Sequence, residues 1–361
     1  MQVSTLINAI RKQGVSFFTG VPDSLLKPFC NYLYEEEGIS KGHIIAPNEG
    51  SALALAAGEY LSTGNPACVY MQNSGLGNIV NPMCSLMHPK VYGIPAILVV
   101  GWRGEPGVHD EPQHVFQGEV TLETLALLGV KAIVLSKEME EADFLAQFAL
   151  LAEDLKEGKC IAIVVKKGAL TSPAKPVFHS SGSLGREEAI QVLAKQYGDQ
   201  GLFVSSTGKI SRELFEQRKV LGQKHEDFLT VGSMGHCCSI ALRVAQCHPE
   251  KQVFCLDGDG ALLMHMGAMA LIGANRPKNL VHIVLDNGAH ETVGGMPTVA
   301  DQVDFCQIAR ACGYERVLSC LLYTSRGRAM GWSCNRRQLG SLGVPSSLAG
   351  WGKGCTVSKA I

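Results

Sequence analysis

None of the 13 cysteines in this 361-residue chain form a Cys-x-x-Cys pair, and no apolar run reaches transmembrane length. The first absence removes the usual ligand spacing of structural zinc sites. The second removes a membrane-spanning helix. Neither charge sign dominates: the formal net charge is −1, so bulk electrostatics select neither nucleic acid nor an anionic membrane as partner. Any anion site must be local. Charged residues make up only 18% of the chain against 46% hydrophobic, which excludes a disordered polymer and allows two domains of ordinary size. Cys68, Cys160, Cys255 and Cys306 sit in apolar segments. Buried, reduced thiols in a cytoplasmic protein are the expectation. Residues 1–14 read as an amphipathic helix carrying Leu6, Ile7 and Ile10, rather than as a signal peptide.

Short apolar strands alternate with helical stretches. Strands are expected at Val15–Thr19, His43–Ala46, Ala67–Met71, Ala96–Val100, Ala132–Leu135 and Cys160–Val165, with helices at Asp23–Glu37, Glu49–Ser62, Leu122–Leu128 and Glu138–Leu155. That alternation predicts a parallel sheet wrapped by helices on both faces. Residues 169–185, rich in Pro, Ser and Ala, read as a linker, with Ser183 as the N-cap of the next helix. A second unit follows, with strands at Leu202–Ser205, Phe228–Thr230, Gln252–Leu256 and Leu280–Leu285 and helices at Arg212–Lys219, Ser239–Cys247, Ala261–Gly273 and Asp304–Cys312. The fold class is α/β, with two doubly wound parallel-sheet domains at 1–168 and 186–318. Residues 321–361 lack Asp and Glu altogether, carry six Lys or Arg, and show no helical or strand period.

Ligands bind beyond the carboxyl ends of strands in such sheets. Those ends carry Thr19-Gly20-Val21-Pro22-Asp23, Asn48-Glu49-Gly50 and Gln72-Asn73-Ser74-Gly75 in the first unit, and Ser206-Thr207-Gly208-Lys209, Gly232-Ser233-Met234-Gly235, Asp257-Gly258-Asp259-Gly260 and Asp286-Asn287-Gly288 in the second. Gly-Asp-Gly alone is a common strand-to-helix turn. The pairing with Asn287, 28 residues on, makes it specific, because that gap is one helix, one loop and one strand. Two neighbouring strand ends then bring a carboxylate and an amide oxygen together, the hard donors Mg²⁺ takes alongside phosphate and water. The flanking glycines let backbone approach a diphosphate, and a helix N-terminus follows. A Rossmann fingerprint fails for want of its third glycine.

These motifs resemble the thiamine-diphosphate-dependent 2-oxo-acid decarboxylases. The resemblance implies that Asp259, Asn287 and the carbonyl of Ala289 bind Mg²⁺. It implies that Gly258 and Gly260 lie against the diphosphate, and that Gly232, Ser233 and Met234 bend the cofactor, Met234 wedging between its rings. It implies that Glu49 hydrogen-bonds the pyrimidine ring and so promotes proton removal from the thiazolium. The two domains become pyrimidine-binding and diphosphate-binding. The cofactor is expected between subunits, so that Glu49 and Asp259 of one site come from different chains of a homodimer or larger homo-oligomer.

Within that family, Gly20–Ser24, Asn73–Asn78, His109–His114, Ser206–Lys209 and His290–Gly295 look like the phosphonopyruvate decarboxylases. This implies loss of CO₂ from 3-phosphonopyruvate to give phosphonoacetaldehyde, in phosphonate biosynthesis. His109 and His114 become candidates for proton relay or substrate binding. Lys209 and Arg103 become candidates for the phosphonate, and Asn73 and Ser74 for the pocket lining. Sulfopyruvate is the alternative substrate. The resemblance runs to about residue 318, and residues 319–361 do not follow it. A frameshift, an alternative exon or an assembly artefact is the expectation there, and a catalytically dead cofactor-binding homologue is the rival function.

Overall fold

The computed structural model describes residues 1–177, 185–224, 226–320 and 355–360, the last stretch and residue 320 as backbone only. The chain divides into two units: Met1–Phe178 with His290–Met296, and His179–Ala289 with Pro297–Ile361.

The first unit is built on six parallel strands: β1 (Phe18–Gly20), β2 (His43–Ile45), β3 (Ala67–Gln72), β4 (Ala96–Gly101), β5 (Lys131–Leu135) and β6 (Ile161–Val165). Their order is β2-β1-β3-β4-β6-β5. The interior strands β4 and β6 are buried throughout, as expected for continuous apolar runs in a parallel sheet covered on both faces. Helices Val3–Arg11, Lys27–Glu37 and Glu141–Leu151 close one face around Phe29, Phe144 and Phe148. Helices Glu49–Thr63 and Thr121–Leu127 contribute to the other, around Leu53, Val69 and Leu98. Each such buried side chain stabilises the fold by about 1.5–3 kcal/mol.

The second unit contains β7 (Gly201–Ser205), β8 (Phe228–Leu229), β9 (Gln252–Gly258) and β10 (Leu280–Leu285), mutually parallel. A short ribbon of β11 (Ala289–His290) and β12 (Met296–Pro297) follows, then β13 (Arg316–Cys320) and β14 (Cys355–Ala360). The larger sheet runs β13-β14-β10-β9-β7-β8. Apolar clusters around Leu262, Met269 and Phe305 on one face, and Ile190, Leu214 and Phe254 on the other, give it the same doubly wound character.

Several expectations are corrected. The second helix begins at Lys27 rather than Asp23, because Asp23 turns back to accept the N–H groups of Leu25 and Leu26. The stretch expected as one helix from Glu138 is two, Glu141–Leu151 and Glu153–Lys156. The helix expected at Ala261–Gly273 is likewise two pieces, Asp259–Met264 and Ala268–Asn275. The N-cap of the helix Arg186–Tyr197 is Gly185, without a side-chain cap, and Ser183 lies outside the described residues. The segment His290–Met296 groups with the first unit, so the second is not one continuous run from residue 186. The expected loss of strand character beyond residue 318 also fails at Cys355–Ala360, whose backbone pairs antiparallel with both β10 and β13. Residues 321–354 lie outside the described residues.

Candidate active site

Because all six strands of the first sheet are parallel, their carboxyl ends share one edge, with the order reversing at β1. Asp23 follows β1 there. It is completely buried and takes a 2.6 Å hydrogen bond from Nε2 of Gln72 at the end of neighbouring β3. Burial pushes its pKa up, against the hydrogen bonds of Gln72 and Leu26 and the charge of Arg103.

Glu49 opens the helix after β2, where the side chain of Asn48 caps the N–H of Ser51 at 2.8 Å. Only 5% of Glu49 is exposed. Its Oε2 accepts from Nδ2 of Asn78 at 2.6 Å, while Oε1 lies over Gly75. A Cβ at Gly75 would sit 2.5 Å from Oε1, so the absence of a side chain is what leaves room for the carboxyl. Of the residues that follow it in the helix, Ala52 and Leu53 are buried and Ala54 is exposed.

The candidate phosphonate ligand Arg103 is already engaged. Its Nε and Nη2 donate to Asp110 at 2.7 and 2.5 Å, and Nη1 donates to Ser24 at 2.9 Å. Asp110 also accepts the N–H groups of Gly104 and Glu111, so its carboxylate is the hub of the 103–111 loop. The hydrogen bonds from Arg103 hold Asp110 well below the usual carboxylate range, against the opposing effect of burial. Asn73 is also committed to the scaffold: Nδ2 donates to the Arg103 carbonyl and to Thr121, and Oδ1 accepts the Arg103 N–H. The Ser74 hydroxyl donates to Gln72 at 2.7 Å. His109 is exposed. His114 is half-buried, with Nδ1 buried and unpartnered among the described residues. Burial, followed by the charge of Arg103, lowers its pKa and favours a neutral ring.

In the second unit, the parallel register pairs Gly258 of β9 with Leu285 of β10. Asp259 and Asn287 therefore leave adjacent strand ends, one and two residues beyond that pair. Asp259 is 3% exposed and accepts a 2.5 Å hydrogen bond from the Thr298 hydroxyl. Burial raises its pKa to about 6; Thr298 opposes the rise, and the nearby charge of Asp286 adds to it. Asp286 is raised in turn, by burial and by Asp301. Mutually repelling carboxylates at one strand edge are a donor set that suits a divalent cation. Oδ1 of Asn287 accepts the Ala289 N–H at 3.1 Å, which turns the chain back on itself. Gly258 and Gly260 flank Asp259 and add no side chain around it.

After β8 the chain bends sharply. Ser233 takes φ 55° and Gly235 φ 87°. Left-handed backbone at a non-glycine residue is uncommon and concentrates at functional sites. Met234, between them, is half-buried. The bend is tied by Ser233 Oγ, 3.1 Å from Nδ1 of His236. Lys209 is exposed at the start of the helix after β7. Sequence reasoning missed Asp23, Asn78, Thr298, Asp286 and Asp301 as site residues. Asp23 and Asn78 lay in quoted motifs without a role; Thr298 follows an irregular stretch with no signal.

Residues 2–127 match the family described as thiamine pyrophosphate enzyme, N-terminal TPP binding domain. Residues 206–327 match the corresponding C-terminal TPP binding domain. A phosphonopyruvate decarboxylase of Streptomyces viridochromogenes is 35% identical over 87% of this chain and 81% of its own. The chain belongs to the thiamine-diphosphate-dependent 2-oxo-acid decarboxylase family. A second phosphonopyruvate decarboxylase, from Streptomyces hygroscopicus, is 34% identical over 89% of this chain and 81% of its own. A sulfopyruvate decarboxylase of Methanosarcina acetivorans is 32% identical over 86% and 82%. As a member of that family the chain is a carboxy-lyase that uses thiamine diphosphate. Among the described residues, no helix is long and apolar enough to cross a membrane.

Proposed function

We propose that this enzyme decarboxylates 3-phosphonopyruvate to phosphonoacetaldehyde, with Mg²⁺ holding the cofactor diphosphate, as a step in phosphonate biosynthesis. The substrate reading is carried by similarity to two phosphonopyruvate decarboxylases along most of their length. Sulfopyruvate is the second reading, because one sulfopyruvate decarboxylase aligns over a similar span at 32% identity.

When bound, thiamine diphosphate supplies the electron sink that accepts the pair left by departing CO₂. The residues of this chain do the rest. Asp259, Asn287 and the Ala289 carbonyl would hold Mg²⁺. Gly258 and Gly260 would leave room for the diphosphate, and Met234 would pack against the cofactor. Glu49 keeps Oε1 for the pyrimidine while Asn78 holds Oε2. His109 and His114 move or hold protons near the substrate. The neutral form favoured at His114 suits it to accept one. Lys209 is the candidate cation for the phosphonate. Arg103 acts through the loop it ties to Asp110 rather than by direct contact, and Asn73 anchors the same loop; Ser74 contributes to the lining. Two or more copies assemble, Glu49 coming from one chain and Asp259 from its partner.

The deciding experiment compares CO₂ release from phosphonopyruvate and sulfopyruvate by the purified full chain with Mg²⁺ and thiamine diphosphate. A higher kcat/KM for phosphonopyruvate is expected. A higher value for sulfopyruvate reverses the substrate assignment.

A further inference from the structure

Beneath the acidic rim of the second unit lies a polar cluster in an otherwise apolar core. Asp257, on β9 two residues before Asp259, is 0% exposed. Its Oδ1 accepts the N–H of Gly258 at 2.9 Å. Its Oδ2 lies 3.4 Å from Nε2 of His282, a β10 side chain that is 1% exposed; this is an ion-pair approach, and neither atom has a hydrogen-bond partner among the described residues. On the other side of that ring, Nδ1 is 3.1 Å from the buried hydroxyl of Tyr314. Cys237 begins the helix that follows the Gly232–Gly235 bend, and its Sγ lies within 4.8 Å of the Asp257 carboxylate.

Two further segments thus meet the buried carboxylate that β9 carries. β9 leads to Asp259, β10 leads to Asn287, and the helix beginning at Cys237 follows Met234. A buried charge costs several kcal/mol unless matched, so a carboxylate here demands a purpose that an apolar residue does not serve. The matching group is the imidazole, oriented in turn by Tyr314. Shells of this kind orient metal ligands elsewhere in proteins. The thiols of Cys237 and Cys255, 3.8 Å apart, complete only a three-donor group with Asp257, whereas a closed structural zinc site takes four.

We infer that Asp257 is a positioning residue. Paired in charge with His282, whose ring Tyr314 orients, and bonded to the Gly258 N–H, it fixes the Gly258–Asp259 turn against the end of β10, so that the cation donors are in place before the metal arrives. This rests on the proposed cation site at Asp259 and Asn287.

The test uses the full chain stripped of metal by chelation and three variants. Tyr314→Phe removes one hydroxyl, Asp257→Asn removes the charge at nearly constant shape, and Asp259→Asn serves as the control. Mg²⁺ is titrated at fixed thiamine diphosphate. Cofactor binding is followed by calorimetry, alongside kcat, substrate KM and the thermal midpoint. Asp257→Asn should raise the half-saturating Mg²⁺ concentration about 10–100-fold, and Tyr314→Phe by less. Excess Mg²⁺ should restore kcat, with substrate KM unchanged. An unchanged Mg²⁺ midpoint in both Tyr314→Phe and Asp257→Asn overturns the inference, even if the thermal midpoint falls. Should Asp257→Asn not fold, Tyr314→Phe decides alone. If Asp259→Asn also leaves the Mg²⁺ midpoint unchanged, the cation site itself has failed. If only Asp259→Asn shifts it, the positioning role has failed. Stoichiometric zinc in the purified protein, lost on Cys237→Ala, overturns the inference in favour of a soft-metal site.

Discussion

Asp110 shows how one carboxylate can decide what its neighbours are free to do. By taking two donors of Arg103 and two backbone N–H groups, it turns a cation that looked available for substrate into part of the loop. Its pKa in the folded state lies below the unfolded value of about 3.9, so its contribution is fully present above that pH. The contribution is lost as pH falls through the folded value. Asp110→Asn should therefore cost about 1.5–3 kcal/mol at pH 7 in urea unfolding. That gap should narrow progressively below about pH 4; a gap independent of pH contradicts the pairing. Glu49 makes the opposite case: only its Oε2 accepts a side-chain hydrogen bond among the described residues. Glu49→Gln should lower kcat about 10²–10⁴-fold while cofactor binding by calorimetry is retained. Asp259 was legible in the sequence because it directly follows the apolar strand β9, and Glu49 because it opens a helix just after the short β2. The engagement of Arg103 was not, because its partner stands seven residues on in an irregular loop with no period to read.

At the scale of elements, the segment carrying His109 and His114 is fixed by close backbone contact. The indole of Trp102, just past β4, donates to the Gly118 carbonyl at 2.9 Å. A Cβ on Gly118 would fall 1.7 Å from the Gly104 carbonyl oxygen. Helix propensity alone predicts that Gly118→Ala stabilises the helix Pro112–Glu119 by up to about 1 kcal/mol. The backbone clash predicts the reverse, a loss of about 1–3 kcal/mol in denaturant unfolding together with reduced kcat/KM. A stabilised variant would show that the helix is free to move away from the loop. The strands β1 to β10 could be read to within a few residues from apolar runs bounded by turn residues. β11 and β12 are two residues each, too short for any period, and β14 takes its place through backbone pairing with β10 and β13. The break between Met264 and Ala268 falls at His265-Met266-Gly267, whose glycine a single-helix reading passed over.

At the scale of the whole molecule, parallel pairing brings the strand-end motifs of each unit to one end of its sheet. The proposed sharing of a site between chains has a direct consequence. Glu49→Gln and Asp259→Asn should each be inactive alone, and mixing them with subunit exchange should restore part of the activity, because a mixed pair assembles one intact site. No recovery after verified exchange contradicts the shared site. The central claim is that Asp259 anchors the cation that holds thiamine diphosphate. It is tested most directly by removing metal with a chelator and measuring CO₂ release as Mg²⁺ and thiamine diphosphate are restored. The parent chain should regain its activity and Asp259→Asn should not, even at high Mg²⁺. Full recovery of Asp259→Asn at the parent's Mg²⁺ concentration would contradict the account.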